Sequence, residues 1–575
     1  LGFRLLAAYH EDDEVRSRLA AWRAPVVLNY LGRMQMVAPD EWLIRGLLDF
    51  GGAWPPADVD APYHAAVDAW IDSDDYLQLR LQCTARSLLG DAGTLAAALV
   101  AQLRAQIEAI DRCLPFRLGM VPASLDTGSI VAAAASRDVA EVQSLNPMQA
   151  GMLFHVRAAA GTGVYENQMR FRLRGKFEPE RWREAWRCTV RREAVFRTGF
   201  VSAGAATLRV VGRELSADAA ILDLRAAWPS PHAAANAYAA EDRSRSFDLE
   251  QPPLARMSVL WLGDDDWEVV WTFHHLIVDG WSVAILLEEM LRVYADGTSD
   301  AAAPGSTTLL DLPLPASPAA HAFWTKVLAG AIPGDPLRLG PIGDPGDLSS
   351  AHDEAELILG EAESSHIVEL AQRAGVTFAS YFQAAWALVL ARHSRSSEVI
   401  FGLTLSGREH LAHAERAIGL FVTTVPVRVR VRGSASPSEL MHEVQQAALA
   451  RRAHVQLPLG DIQRCAGVVA PDSLFNHVLL IENFPVDCAF AAMVPTVELR
   501  DMRCRQRSHY PATLVVVPGD RIRLELSWER GRLSESRAHY LLEALRSGLA
   551  RLGDGSCSRV DEIAFDAFDS GSPTP

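Results

Sequence analysis

Cysteine is scarce and shows no pairing pattern. The 575 residues hold seven, an odd number without a CxxC pair, so neither a disulfide framework nor a zinc knuckle is indicated. No uncharged apolar run approaches the roughly 18 residues of a membrane span, and no secretory pattern opens the chain. Positive charge is short as well. Lys and Arg number 55 against 71 Asp and Glu, a net charge of -16. Phosphate backbones want a basic face, so no nucleic-acid partner is expected. HExxH metal sites and GxSxG nucleophile elbows are missing too. What remains is a globular composition, 49% hydrophobic and 22% charged, long enough for three or four lobes. A reducing cytoplasm and a monomer are the expectations. The start at Leu1 and the small, polar run Ser570–Pro575 read as a segment of something longer.

An internal repeat organises the chain. YHAAVDAWIDSDDYLQLRLQC from Tyr63 and YPATLVVVPGDRIRLELSWE from Tyr510 each lead through turn residues into a helical stretch. Leu77, Leu79 and Leu81 alternate with polar residues in the first copy, as Ile522, Leu524, Leu526 and Trp528 do in the second. Both read as half-buried strands. The helices carry Leu95, Leu99, Leu103, Ile107 and Ile110 in one copy and Leu541, Leu542, Leu545, Leu549 and Leu552 in the other. VVLNYLGRM (26–34) and HVLLIENFP (477–485) hold equivalent upstream places. Residues 1–114 are therefore expected to be the tail of one domain. A linker without amphipathic period spans 115–138. A complete second copy follows, as lobes 139–300 and 318–565 joined by a Pro/Ala/Gly-rich linker at 301–317, with a tail at 566–575.

The chemistry concentrates in WEVVWTFHHLIVDG (267–280), a β-branched and aromatic strand ending at His274-His275. Asp279 and Gly280 turn the chain, and Ser282 is placed to cap a helix whose Val283, Leu286, Leu287, Met290 and Leu291 face a core. Neighbouring strand residues point to opposite faces, so only one histidine faces a given cavity. No third ligand follows at helical spacing, and no metal is expected.

HHLIVDGWS resembles the HHxxxDG signature of the condensation domains of nonribosomal peptide synthetases. The likeness extends to SLNPMQAGMLFH (144–155), RREAVFRTGF (191–200), FGLTLSGR (401–408), IGLFVTTVPVRV (418–429), VQLPLGDIQR (455–464) and LFNHVLLIENFP (474–485), in the family's order. Two departures stand out. The aromatic segment after the first lobe is reduced to HAFWTKVLAG (321–330). In the second motif Glu193 replaces the usual His, and Ala194 stands where an acid is common.

The resemblance implies an α/β (α+β) fold: two chloramphenicol-acetyltransferase-like lobes in a V-shaped pseudo-dimer, preceded by a partial lobe of the same superfamily. It implies peptide-bond formation between a carrier-bound acyl donor and a carrier-bound aminoacyl acceptor. No cofactor is bound; both reactants arrive on phosphopantetheine arms. The implied partners are upstream and downstream peptidyl carrier domains and an adjacent adenylation domain. His275 faces the tunnel, either taking a proton from the attacking amine or orienting it, and His274 is structural. Asp279 is either a catalytic carboxylate or, the favoured reading, the holder of the turn through a bidentate pair with Arg408. Gly280 lines the tunnel, and Trp281 and Ser282 support it. GFRLLAAY (2–9) and VVLNYLGRM resemble the C-terminal part of an epimerization domain, which implies a D-configured donor. The arginines at 181, 183, 187, 191 and 192 offer a basic face to an acidic carrier, although such runs are usually solvated. Trp281-Ser282-Val283 after the motif disfavours an epimerase, and no DxxxxD pattern marks a heterocyclization domain. An acyltransferase for small soluble amines or alcohols and an inactive recruitment platform remain as alternatives.

Overall fold

The computed structural model describes residues 26–33, 65–71, 77–83, 101, 117–118, 127–134, 138–159, 161–204, 206–296, 318–340, 352–408, 416–469, 472–482 and 494–565. The chain divides at Pro115/Phe116 into two units. The expected helix at 95–110, the inter-lobe linker and the tail lie outside the described residues, apart from Ala101, which is helical.

The first unit holds β1 (Val26–Arg33), β2 (Ala65–Ile71) and β3 (Leu77–Cys83). β1 pairs parallel with β2, and β2 antiparallel with β3.

The second unit begins with β4 (Arg117–Leu118), α1 (Thr127–Ala134), β5 (Val139–Ser144), α2 (Pro147–Ala158), β6 (Glu166–Gly175), α3 (Pro179–Arg192), β7 (Thr198–Ala203) and β8 (Ala206–Gly212). It continues with β9 (Ala220–Asp223), α4 (Pro231–Ser244), β10 (Ala255–Gly263), β11 (Asp266–His274) and α5 (Gly280–Asp296). Its second half holds α6 (Pro318–Leu328), β12 (His352–Ile358), α7 (Glu361–Arg373), α8 (Phe378–Ser394), β13 (Glu398–Leu405), β14 (Thr423–Arg430), α9 (Pro437–Arg451) and α10 (Leu459–Cys465). Last come β15 (His477–Ile481), β16 (Val497–Arg505), β17 (Ala512–Val517), β18 (Arg523–Glu529) and α11 (Glu535–Arg551).

Three sheets result, ordered β4-β5-β8-β7, β16-β6-β11-β10-β9 and β12-β18-β17-β15-β13-β14. The repeat read from sequence recurs in their pairing. β15 runs parallel to β17 and β17 antiparallel to β18, as β1, β2 and β3 do. Beside the six-stranded sheet, α8 is buried along most of its length, which is why it is apolar nearly all round rather than striped.

Two features differ from the sequence reading. The stretch 115–138 is not a bare linker: β4 pairs with β5, and α1 packs on that sheet through Ile130, Ala133 and Ala134. The helix TGSIVAAA is short and largely small or apolar, so no amphipathic period could show. And β16, from the second lobe's stretch of chain, adds to the edge of the first lobe's sheet beside β6. This exchange fastens one lobe to the other through main-chain bonds. The arginines of α3 are paired within the fold, to Glu178, Glu180, Glu184, Asp218, Glu193 and Glu289.

Candidate active site

β11 lies between β6 and β10 and is buried from Trp267 to His274. Both faces are covered, which explains its continuous rather than alternating hydrophobicity. At its end the two histidines part. His274 is 1% exposed, and its Nδ1 accepts the Leu276 N–H at 3.1 Å. Burial, then the neighbouring His275, holds its pKa down to about 3. His275 is half-buried and lines a cavity of about 430 Å³. Its Nδ1 sits 2.6 Å from the Val278 carbonyl. A carbonyl only accepts, so Nδ1 carries the proton and Nε2 is left as the acceptor. Burial lowers the His275 pKa, while the Val278 bond and the charge of Asp279 oppose that shift. The ring is held neutral near pH 7.

Three histidines, His274, His477 and His509, have pKa values lowered to about 3 by burial. A folded pKa below the unfolded value of about 6.5 means that, between the two, the unfolded chain binds more protons. Their contribution is intact above pH 6.5 and is lost as pH falls toward 3. Chemical denaturation at pH 7, 6 and 5 should show stability dropping, by up to about 1.4 kcal/mol per pH unit for each such group. A flat profile down to pH 5 would contradict their burial as neutral rings.

Asp279 is wholly buried and heads α5. Its Oδ1 accepts the Ser282 N–H at 2.8 Å and Nη2 of Arg408 at 2.8 Å, and its Oδ2 accepts the Phe421 N–H at 2.9 Å. Its own N–H donates to the Gly419 carbonyl at 3.0 Å. The expected partner Arg408 is present, but its guanidinium also reaches the Ser282 hydroxyl at 2.7 Å and the Ala417 carbonyl at 2.6 Å. The bidentate fork expected from sequence is thus a shared clamp. Ser282 Oγ completes the knot by donating to the Gly419 carbonyl and accepting its N–H. Gly407 has φ +66°, and a Cβ there would overlap the Phe421 carbonyl, so the glycine of LSGR allows the 416–421 loop to approach.

The knot corrects two expectations, on Ser282 and on Gly280. The side chain capping α5 is Asp279, not Ser282, because the helix begins at Gly280 and places Ser282 at its third position. Gly280 is absent from the walls of this cavity and of the larger one beside it. Trp281 is 39% exposed and lines neither. Each follows from the helical turn: it sends Ser282 inward and Trp281 outward.

The larger cavity, of about 1240 Å³, adjoins the first. The two share Tyr165, Val422, Thr424, His509 and Tyr510 in their walls, so they meet beside His275 between elements of both lobes. Asn146 and Gln149 form a capping box at the start of α2. Asn146 Nδ2 also donates to the Leu420 carbonyl, and Gln149 Nε2 to that of Leu276, each at 3.0 Å. These tie α2 to both halves of the site. The NPMQ spacing at 146–149 carries a capping signal that could have singled them out. Tyr165 and His509 had no such signal. Among the described residues no group of three His, Cys, Asp or Glu comes together to hold a metal.

Comparison with known proteins bears on this arrangement. The model of the family described as "Condensation domain" matches residues 139–564. A linear gramicidin synthase protein of Brevibacillus parabrevis is 26% identical over 593 residues, covering 98% of this chain and 12% of its own length. A chondramide synthase of Chondromyces crocatus is 32% identical over 415 residues, covering 68% of this chain and 10% of its own. The chain therefore spans a small part of these relatives. Among solved structures, the first condensation domain of the CDA synthetase has a TM-score of 0.62 at 19% identity, over 74% of this chain and 98% of that one. It shares the fold.

Proposed function

Because this chain belongs to the condensation-domain family, we propose that it joins a carrier-bound acyl donor to a carrier-bound aminoacyl acceptor in nonribosomal peptide synthesis. The acceptor amine attacks the donor thioester carbonyl; a C–N bond forms and the C–S bond breaks. The amine proton passes to the departing thiol, with His275 Nε2 as its acceptor on the way. Phosphopantetheine arms of upstream and downstream carrier domains deliver the two reactants, beside an adenylation domain in the parent synthetase. The observation that carries this reading is a neutral imidazole whose Nδ1 is tied to Val278 and whose ring lines the cavity. Two adjoining cavities suit two tethered reactants, and holding them together itself supplies rate.

Asp279 acts in this reading as the anchor of the turn. Its carboxylate oxygens are engaged by Arg408, Ser282 and Phe421, so it shapes the His275 loop and does not relay protons. His274, Ser282 and Arg408 share that supporting role.

Residues 1–114 are read as the C-terminal part of an epimerization domain. Two facts support a synthetase context: the strand pairing repeats that of the second lobe, and the match to the gramicidin synthase protein runs over 98% of the chain. The donor is then D-configured at its reacting residue. In a competition between matched carrier-bound donors, the D-isomer should be coupled faster. Faster coupling of the L-isomer would sink the stereochemical assignment.

A further inference from the structure

Tyr165 is buried and holds φ +66°, a left-handed conformation rare for a bulky side chain. Such a conformation persists where the surroundings over-determine it. The surroundings here come from the other lobe. The Tyr165 N–H donates to the Arg507 carbonyl at 2.8 Å, and its hydroxyl bonds His509 Nδ1. The Arg507 guanidinium bonds the Thr162 carbonyl in the same turn. On its other side, the Tyr165 carbonyl accepts the His275 N–H at 2.8 Å, and its ring meets the His275 ring edge-on, centroids 6.4 Å apart. His509 is itself fixed, stacked on His155 with centroids 3.7 Å apart and flanked by Tyr510 at 3.9 Å.

We propose that His509 is a positioning residue for His275, acting through Tyr165. The segment 507–509 holds Tyr165 in its left-handed turn, and that turn presents the carbonyl to which the His275 backbone is tied. Without the His509 bond, Tyr165 relaxes toward an ordinary backbone conformation and carries His275 off its line to the amine. The proposal rests on the reading of His275 given above, and it links lobe contact to the reacting centre.

The test uses the whole chain with two loaded carriers and single-turnover coupling. The variants are Tyr165→Phe, His509→Leu, their combination, His509→Asn, and each in a His275→Ala background. Tyr165→Phe and His509→Leu should lower kcat about ten- to a hundredfold, the scale of a misplaced reacting group. KM for either carrier should stay within about twofold, as for loss of an interaction made only in the transition state. The combination should be no worse than either single change, and His509→Asn, which keeps a hydrogen-bonding group, should recover most of the rate. In the His275→Ala background both effects should vanish. A raised KM with kcat intact, or an undiminished loss in the His275→Ala background, would overturn the proposal. If His275→Ala alone left coupling unchanged, the reading of His275 would fail and the proposal with it. If His275→Ala crippled coupling but Tyr165→Phe did not, only the link through Tyr165 would fail. Should His509→Leu not fold by thermal scan, Tyr165→Phe and His509→Asn decide.

Discussion

Replacing Arg408 by alanine is expected to cost the domain about 3–5 kcal/mol, the usual result of stranding one member of a buried ion pair. Asp279 is 0% exposed and would be left in the core without its cationic partner. The Ser282 hydroxyl and the Ala417 carbonyl would lose a donor in the same stroke. Lysine is a poor substitute, since one ammonium lacks the fork that reaches three acceptors in fixed directions. Arg408→Lys should therefore fall between wild type and Arg408→Ala. Denaturant midpoints measure this. Whatever activity survives should keep the wild-type pH profile, because the clamp holds geometry and moves no proton. A large loss of activity at unchanged stability, with a displaced pH optimum, would instead make Asp279 and Arg408 part of the proton path.

His275→Ala carries the second large effect. Loss of a positioned acid–base group typically costs about 10²–10⁴ in rate. Folding should change little, for the side chain is half-buried and its ring bonds a carbonyl only three residues on. The contrast with Arg408→Ala is the useful part: one variant should lose rate and keep stability, the other should lose stability while its remaining activity keeps the wild-type pH profile.

Much of this site was legible because its chemistry is local. The adjacency of His274 and His275 at a strand end, followed by Asp-Gly, is a short-range pattern, and the family pattern pointed to Arg408. The misreadings have physical sources. Ser282 is a good cap residue by type, but a cap is defined by where the helix begins, and only the fold sets that at Gly280. α1 was missed because eight residues, mostly small or apolar, leave no stripe. The exchange of β16 was invisible because Val497–Arg505 reads as a strand broken by an irregularity at 500–503, and nothing in it says which sheet it joins. Tyr165 and His509 lie 344 positions apart. Their meeting is a property of the lobe contact, which no window of sequence contains.

The most direct test is a coupling assay with two loaded carrier proteins, a D-ending donor and an L-aminoacyl acceptor, read by intact mass for wild type beside His275→Ala. Product should appear on the acceptor carrier and fall sharply in the variant. Product undiminished in the variant would contradict the role given to His275. No product with any carrier-bound donor would contradict peptide-bond formation itself.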